Sequence, residues 1–208
     1  MSHHLTISPV GGISVIMSVI ALLCGCDANK VAASTANPGL QHTYRVRSGM
    51  MEPTLTIGER VQIRAINPRA SKPYVGEIVL SHPSVGWDSG QCGLTPHMIS
   101  SGGAACSEPE PEPSSVEFLN RIVAGPGDVI AIRDGHVIRN GLRERDRYIR
   151  SCGGVPECNY PVAIKILPGH WFVMGDNRGE SDDSRIWGPV PTSWIVGAVV
   201  VDRKQRQK

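Results

Sequence analysis

The side chains able to do chemistry gather in a few places along the 208 residues. Four cysteines, Cys92, Cys106, Cys152 and Cys158, lie in the outer part of the chain, and two more, Cys24 and Cys26, lie near its start. Four thiols allow three pairings. Nearest neighbours, Cys92–Cys106 and Cys152–Cys158, close short loops and are the expected disulfides. A zinc site is the competing reading, but no close Cys-x-x-Cys pair supports it, and no metal is expected. Three polar segments carry most of the clustered hydroxyl, carboxylate and guanidinium groups: Ser48-Gly49-Met50-Met51-Glu52-Pro53-Thr54-Leu55, Asn120-Arg121-Ile122-Val123-Ala124-Gly125-Pro126-Gly127-Asp128, and the run from Gly175-Asp176-Asn177-Arg178 through Ser181-Asp182-Asp183-Ser184-Arg185 to Gly188-Pro189-Val190. A serine hydroxyl becomes a nucleophile when a base takes its proton. The five lysines, Lys30, Lys72, Lys165, Lys204 and Lys208, all lie outside these segments, and so does every histidine.

The elements that must hold these segments read as strands. Arg60–Ala65 alternates polar with apolar residues, as a half-buried strand does. Tyr44–Val46, Gly76–Leu80, Arg121–Ala124, Trp171–Met174 and Ile195–Val201 are further strand candidates. Val129–Arg133 and His136–Arg139 flank Asp134-Gly135, a two-residue hairpin signal, and Asn140-Gly141 marks the next reversal. Twenty-three glycines and 16 prolines imply many turns. No long amphipathic helix and no fixed-period repeat is visible, so the expected fold is mainly β, a barrel or sandwich in one domain. Residues 84–116 differ in character: rich in Gly, Ser and Pro, and carrying the alternating Glu-Pro run Ser107–Pro113, they read as an extended, solvated insertion.

The first 26 residues read as separate from that fold. The apolar run Ile13–Leu23, broken by Ser14 and Ser18, matches a signal-peptide core better than the roughly 20 residues needed to span a bilayer. It ends in Leu23-Cys24-Gly25-Cys26-Asp27, which resembles a bacterial lipobox with Cys26 as the lipidated residue. No Lys or Arg precedes Lys30, so charge says little about orientation. An uncleaved anchor, a lipoprotein signal and a buried core helix are the alternatives; the first two put the bulk of the chain outside the cytoplasm. The expected organisation is an anchor or signal over 1–26, a linker over 27–43, a folded domain over 44–202 and a basic tail over 203–208. A net charge of +2 gives no case for nucleic acid.

Together the three segments resemble bacterial signal peptidase I, in order, spacing and the length of the third motif. That resemblance implies a signal-peptidase-like β fold and a Ser-Lys hydrolase, in which a serine hydroxyl attacks the peptide carbonyl and a neutral lysine takes its proton. Carried over position by position, the nucleophile falls at Met50 and the base at Asn120. A thioether has no proton to lose, and an amide is not basic near neutrality. Losing such a nucleophile costs about 2 × 10⁶ in turnover in another serine protease, roughly 8–9 kcal/mol. Ser48 maps to the position whose hydroxyl helps stabilise the oxyanion, and is the candidate replacement nucleophile. Ser181 maps to the serine that supports the lysine, and here is expected to hydrogen-bond the Asn120 amide. Asp183 and Arg185 map to a structural ion pair, and Gly175, Asp176 and Asn177 to the turn beside it. Trp187 and Trp194 are expected to pack.

The resemblance implies no cofactor. It implies a membrane location, the bacterial cytoplasmic membrane with the main domain on the extracytoplasmic side. The partners it suggests are the signal sequences of exported preproteins or an active signal peptidase paralogue. Three functions compete: a non-catalytic, membrane-associated binding or accessory protein; an active peptidase using Ser48 and another base; and a lipoprotein whose insertion over 84–116 carries an interaction.

Overall fold

The computed structural model describes residues 40–66, 72–93, 95–98, 102–109 and 111–200, all within the second of the two units into which the chain divides, 1–35 and 36–208. The anchor or signal, with Cys24 and Cys26, lies outside the described residues, as do most of the linker and the basic tail. Among the described residues, thirteen strands carry the fold: β1 (Leu40–Arg45), β2 (Arg60–Ala65), β3 (Ile78–Ser81), β4 (Gln91–Cys92), β5 (Thr95–Met98), β6 (Phe118–Ala124), β7 (Val129–Arg133), β8 (His136–Arg139), β9 (Leu142–Arg143), β10 (Tyr160–Lys165), β11 (His170–Met174), β12 (Val190–Pro191) and β13 (Ile195–Val200). The main sheet runs β1-β2-β13-β3-β6-β11-β12, a smaller one runs β10-β7-β8-β9, and β4 pairs with β5. The chain is mainly β, as the sequence predicts.

The main sheet is buried on both faces at its centre. All four residues of β3 are buried; Ile78 and Leu80 pack with Met51, Val61 and Ile63, while Val79 packs with Ile122, Val173 and Trp187. That two-sided burial explains why β3 reads as a continuous apolar run, whereas β2, with its inward Val61 and Ile63, alternates. A third cluster, including Ile130, Ile132, Phe172 and Met174, joins the small sheet to β11. Trp187 is 1 % exposed and Trp194 packs beside it, so both are packing residues.

The hairpin turns form where expected. Asp134 and Gly135 both take positive φ (49° and 74°), as do Asn140 and Gly141 (53° and 80°). Two successive left-handed residues let the strands keep their right-handed twist through a two-residue loop. Gly125–Asp128 closes another turn, with the Asp128 carboxylate accepting from the Gly125 amide at 2.9 Å.

Three expectations need correcting. β1 begins at Leu40, inside the expected linker, because it pairs with β2 as an edge strand. β6 begins at Phe118 rather than Arg121, so Asn120 lies within the strand, opposite Val79. The insertion is exposed at Pro111–Pro113, where the backbone bends, but not solvated throughout: Ala105 and Cys106 are buried. The Cys106 amide donates to the Arg185 carbonyl at 3.0 Å, and the Glu108 backbone packs so close to Gly188 that a Cβ there would fall 2.8 Å from it. Both predicted disulfides form, Cys92–Cys106 holding this segment in place and Cys152–Cys158 closing a short surface loop. Among the described residues no helix is long and apolar enough to cross a membrane.

Candidate active site

The three polar segments, far apart in sequence, meet at Asp176. Its carboxylate accepts from Arg121 Nε at 2.8 Å and Arg121 Nη2 at 2.6 Å, and from Thr54 Oγ1 at 2.5 Å. Thr54 belongs to the first segment, Arg121 to the second and Asp176 to the third, so one fully buried carboxylate ties all three. The fork-to-fork geometry makes this a strong, directional pair. Arg121 also donates to the Gly76 carbonyl and lies 4.1 Å from the Tyr148 ring centroid. Spacing in sequence gives no sign of these contacts.

The first segment is shaped by a single 3-10 turn, Gly49–Met51. The turn drives Met51 into the core, 1 % exposed, and leaves Met50 half-buried with its side chain at a groove. The backbone of Met50 is fixed from the third segment: its carbonyl accepts from the Asn177 amide at 2.9 Å, and Asn177 Nδ2 donates to the Gly49 carbonyl at 3.1 Å. Ser48 is exposed at the head of the turn, caps nothing with its side chain, and lines the same groove. The groove holds about 350 Å³ and is walled by Tyr44, Val46, Met51, Phe118 and Leu119, with Arg47 and Glu117 as its charged residues. No lysine or histidine among the described residues lines it. Arginine stays protonated at any working pH, so Arg47 offers Ser48 no base.

Asn120 is fully buried, and neither its Oδ1 nor its Nδ2 has a hydrogen-bond partner. Ser181 is 8 % exposed and its Oγ is likewise unpartnered. The expected Ser181–Asn120 hydrogen bond is therefore not made. Both groups nonetheless belong to one side of the sheet. The register pairing Met174 with Arg121, continued by one residue, sets Gly175 opposite Asn120. A Cβ on Gly175 would strike Ser181 Oγ and lie 2.5 Å from the Met50 carbonyl oxygen. Opposite residues of an antiparallel pair share a face, so Asn120 projects to the side that holds Ser181 and Met50. A lysine carries its nitrogen on four methylenes and asparagine its amide on one, so the side chain at this position reaches less far than a lysine would.

Behind this face lies the ion pair expected of Asp183 and Arg185, both buried. Arg185 Nε and Nη2 each donate to the Asp183 carboxylate at 2.8 Å, and Nη2 also reaches the Ser181 carbonyl at 3.0 Å. Burial disfavours the Arg185 charge, but Asp183 outweighs it and holds the guanidinium pKa above its ordinary value. Asp183 also accepts from the Gly175 amide at 3.0 Å and from the Arg185 amide at 3.2 Å, capping the short helix α1 (Ser184–Trp187). The pair thus fixes the backbone on both sides of Ser181. Asp182 is partly exposed, its carboxyl pKa raised by partial burial and by the neighbouring Asp183 carboxylate, with Arg185 opposing.

Residues 28–202 match the family described as "Signal peptidase, peptidase S26", and the chain belongs to that family. It is 31 % identical over 157 residues to a probable signal peptidase I-1 from Synechocystis, covering 73 % of this chain and 65 % of the relative. It is 29 % identical over 195 residues to thylakoidal processing peptidase 1, chloroplastic, from Arabidopsis thaliana, covering 86 % of this chain and 48 % of the relative. The chain therefore spans about half to two-thirds of the length of these curated relatives. A signal peptidase I structure from Enterococcus faecalis aligns over 62 % of this chain and 98 % of its own at 20 % identity, with a TM-score of 0.39.

Proposed function

We propose that this protein has lost peptide-bond hydrolysis and acts as a binding or accessory protein at the bacterial cytoplasmic membrane, its folded domain on the extracytoplasmic side. The observation that carries the reading is the pair of side chains at the nucleophile and base positions. Met50 offers a thioether at the groove, and Asn120 offers a fully buried amide that makes no hydrogen bond. Acyl transfer needs a proton removed from the attacking group, and no atom of this pair can lose or take one near neutrality. The apolar groove, in contrast, is open, and Met50 extends its apolar lining. An extended segment can be held there by backbone hydrogen bonds and shallow apolar contacts without either catalytic group. The two disulfides support an oxidising, extracytoplasmic setting.

The test is processing of a purified preprotein by the full chain, by Ser48→Ala and by Met50→Ser/Asn120→Lys. The expected result is no cleavage by the natural chain, retention of the preprotein on it, and measurable cleavage at the signal junction by the double variant. Cleavage by the natural chain that disappears in Ser48→Ala overturns the loss of chemistry and assigns a displaced nucleophile. Failure of the natural chain to retain the preprotein overturns the binding role.

A further inference from the structure

One end of the β1–β2 pair gathers unopposed positive charge. The two strands run antiparallel with Arg45 directly opposite Arg60. Opposite residues of such a pair share a face at about 5 Å between Cβ atoms, where like charges repel. Both arginines are exposed, and neither side chain has an ion pair or hydrogen bond among the described residues. Their neighbours on that face do not neutralise them. Thr43 and Gln62 bond each other, and Arg64 is paired with Glu77 at 3.2 Å. Glu59, next to Arg60 in the chain, turns its carboxylate to the Thr56 amide at 2.9 Å. β13 adds to this end. Gly197 stands opposite Ala65 and Val200 opposite Gln62, so the strand runs toward Arg60 as it leaves the sheet. The residues that follow, Val201-Asp202-Arg203-Lys204-Gln205-Arg206-Gln207-Lys208, bring four cations and one carboxylate.

Beside the arginines, the turn between Glu52 and Glu59 holds a large apolar side chain in solvent: Ile57 is 63 % exposed. Met51 and Leu55 root the turn in the core, and backbone bonds from Leu55 to Met51, Gly58 to Val46, Glu59 to Thr56 and Val46 to Glu59 fix it. A Cβ on Gly58 would lie 3.7 Å from Arg45 Nη2, and one on Gly49 would lie 4.0 Å from Ile57 Cδ1. Ile57 thus neighbours Arg45 through Gly58 and touches the 3-10 turn that carries Met50. A lone exposed isoleucine needs no explanation, and neither does a lone arginine. Set side by side on a rigid turn and sheet end, they make an interfacial pattern, with cations for phosphates and an apolar tip for the layer beneath. A protein partner fits less well, because the face carries no aromatic anchor.

We propose that this end of the sheet docks on anionic phospholipid, with Arg45, Arg60 and the cations of residues 203–208 at the phosphates and Ile57 entering the headgroup layer. The inference rests on the membrane location proposed above and names the lipid chemistry that location uses. A chain already held at a bilayer docks without a second loss of translational freedom. Exposed cations, each contributing about fivefold in partitioning to an anionic surface, then suffice to hold the domain down. Docking also brings the Met50 turn, which adjoins Ile57, to the lipid surface.

The test adds the full chain to preformed vesicles of phosphatidylcholine, alone or mixed with phosphatidylglycerol. Flotation reads binding, and phenylglyoxal modification followed by mass spectrometry reads each arginine. On the phosphatidylglycerol vesicles Arg45 and Arg60 are expected to react at least about fivefold more slowly than on phosphatidylcholine alone. Arg133, exposed on β7, should change less than about twofold. The protection should vanish in about 1 M salt, where charges are screened beyond about 3 Å. Ile57→Ser and, separately, Arg203→Gln/Lys204→Gln/Arg206→Gln/Lys208→Gln should each reduce it at least about twofold. Flotation with both vesicles but equal reactivity of Arg45 and Arg60 on each overturns the docking and leaves the membrane location standing. Flotation with neither overturns both. Protection that persists in both variants, or that soluble polyglutamate confers equally, overturns the lipid assignment, the latter in favour of an acidic protein. Whether the chain cleaves or retains a preprotein does not enter this readout.

Discussion

Asn120→Leu should make this protein more stable, although it removes a side chain from the centre of the candidate site. Asn120 is fully buried in β6, and both polar atoms of its side chain lack partners. Each unmet buried group costs about 1–3 kcal/mol of desolvation. Leucine has nearly the same branched shape, so substitution removes that cost without opening a cavity, and places two methyl groups on the face that already holds Val79 and Ile122. A part of the gain is lost to imperfect fit, leaving an expected stabilisation of about 1–3 kcal/mol. For a chain of this size that corresponds to a rise in Tm of roughly 2–12 °C. The assay is urea and thermal unfolding of the full chain, with Asn120→Asp as the opposite control. An aspartate there buries an unpaired charge and should destabilise by about 3 kcal/mol or more. Leucine that lowers stability refutes the reasoning, because it would mean that the amide has a partner whose loss outweighs the relief.

Two further substitutions, one on that face and one at the surface beside it, test the surroundings of Ser181. Gly175→Ala puts a Cβ against Ser181 Oγ and 2.5 Å from the Met50 carbonyl oxygen, and that carbonyl is pinned by the Asn177 amide. The clash should cost about 2–3 kcal/mol in urea unfolding, and an unchanged midpoint would show that Met50 can move aside. Asp182→Asn should alter the pH dependence of stability. The folded-state pKa of Asp182 lies above its ordinary 3.8, so the native chain keeps this proton longer than the unfolded chain does. Its contribution is present at low pH and is lost as pH rises through the raised value. The variant should match the natural chain near pH 3 and exceed it at pH 7, by less than about 1 kcal/mol because the side chain is exposed. A difference that grows toward acid contradicts the sign.

The parts of the fold legible in sequence are those fixed by local rules. Asp134-Gly135 and Asn140-Gly141 announce their hairpins because a two-residue reversal needs left-handed backbone, which few residue types tolerate. Arg60–Ala65 announces β2 because one face is solvated. The start of β6 is hidden, since Phe118-Leu119-Asn120 breaks its apolar run with a polar residue that the structure buries. Ala105 and Cys106 are hidden too, lying in a Gly- and Ser-rich stretch whose burial depends on distant packing, Ala105 within the cluster of Ile130, Ile132 and Phe172 and Cys106 through the Arg185 carbonyl. At the site, the Asp183–Arg185 pair could be carried over from the resemblance, and the structure holds it. The convergence on Asp176 could not be read. Its partners lie 55 and 122 residues away, and contacts at those separations leave no periodicity to detect.

The meeting of three segments at Asp176 also bears on when the groove comes into being. The first segment emerges early in synthesis, yet the residues that pin Met50 and receive Thr54 arrive more than 120 residues later. Closing contacts of such separation is slow, because chain entropy must be given up before they return any stabilisation. The groove is therefore a late product of folding rather than a property of the nascent N-terminal half. A truncated or half-translated chain would carry the first segment without displaying it, so any partner that recognises the groove distinguishes a finished molecule from an unfinished one.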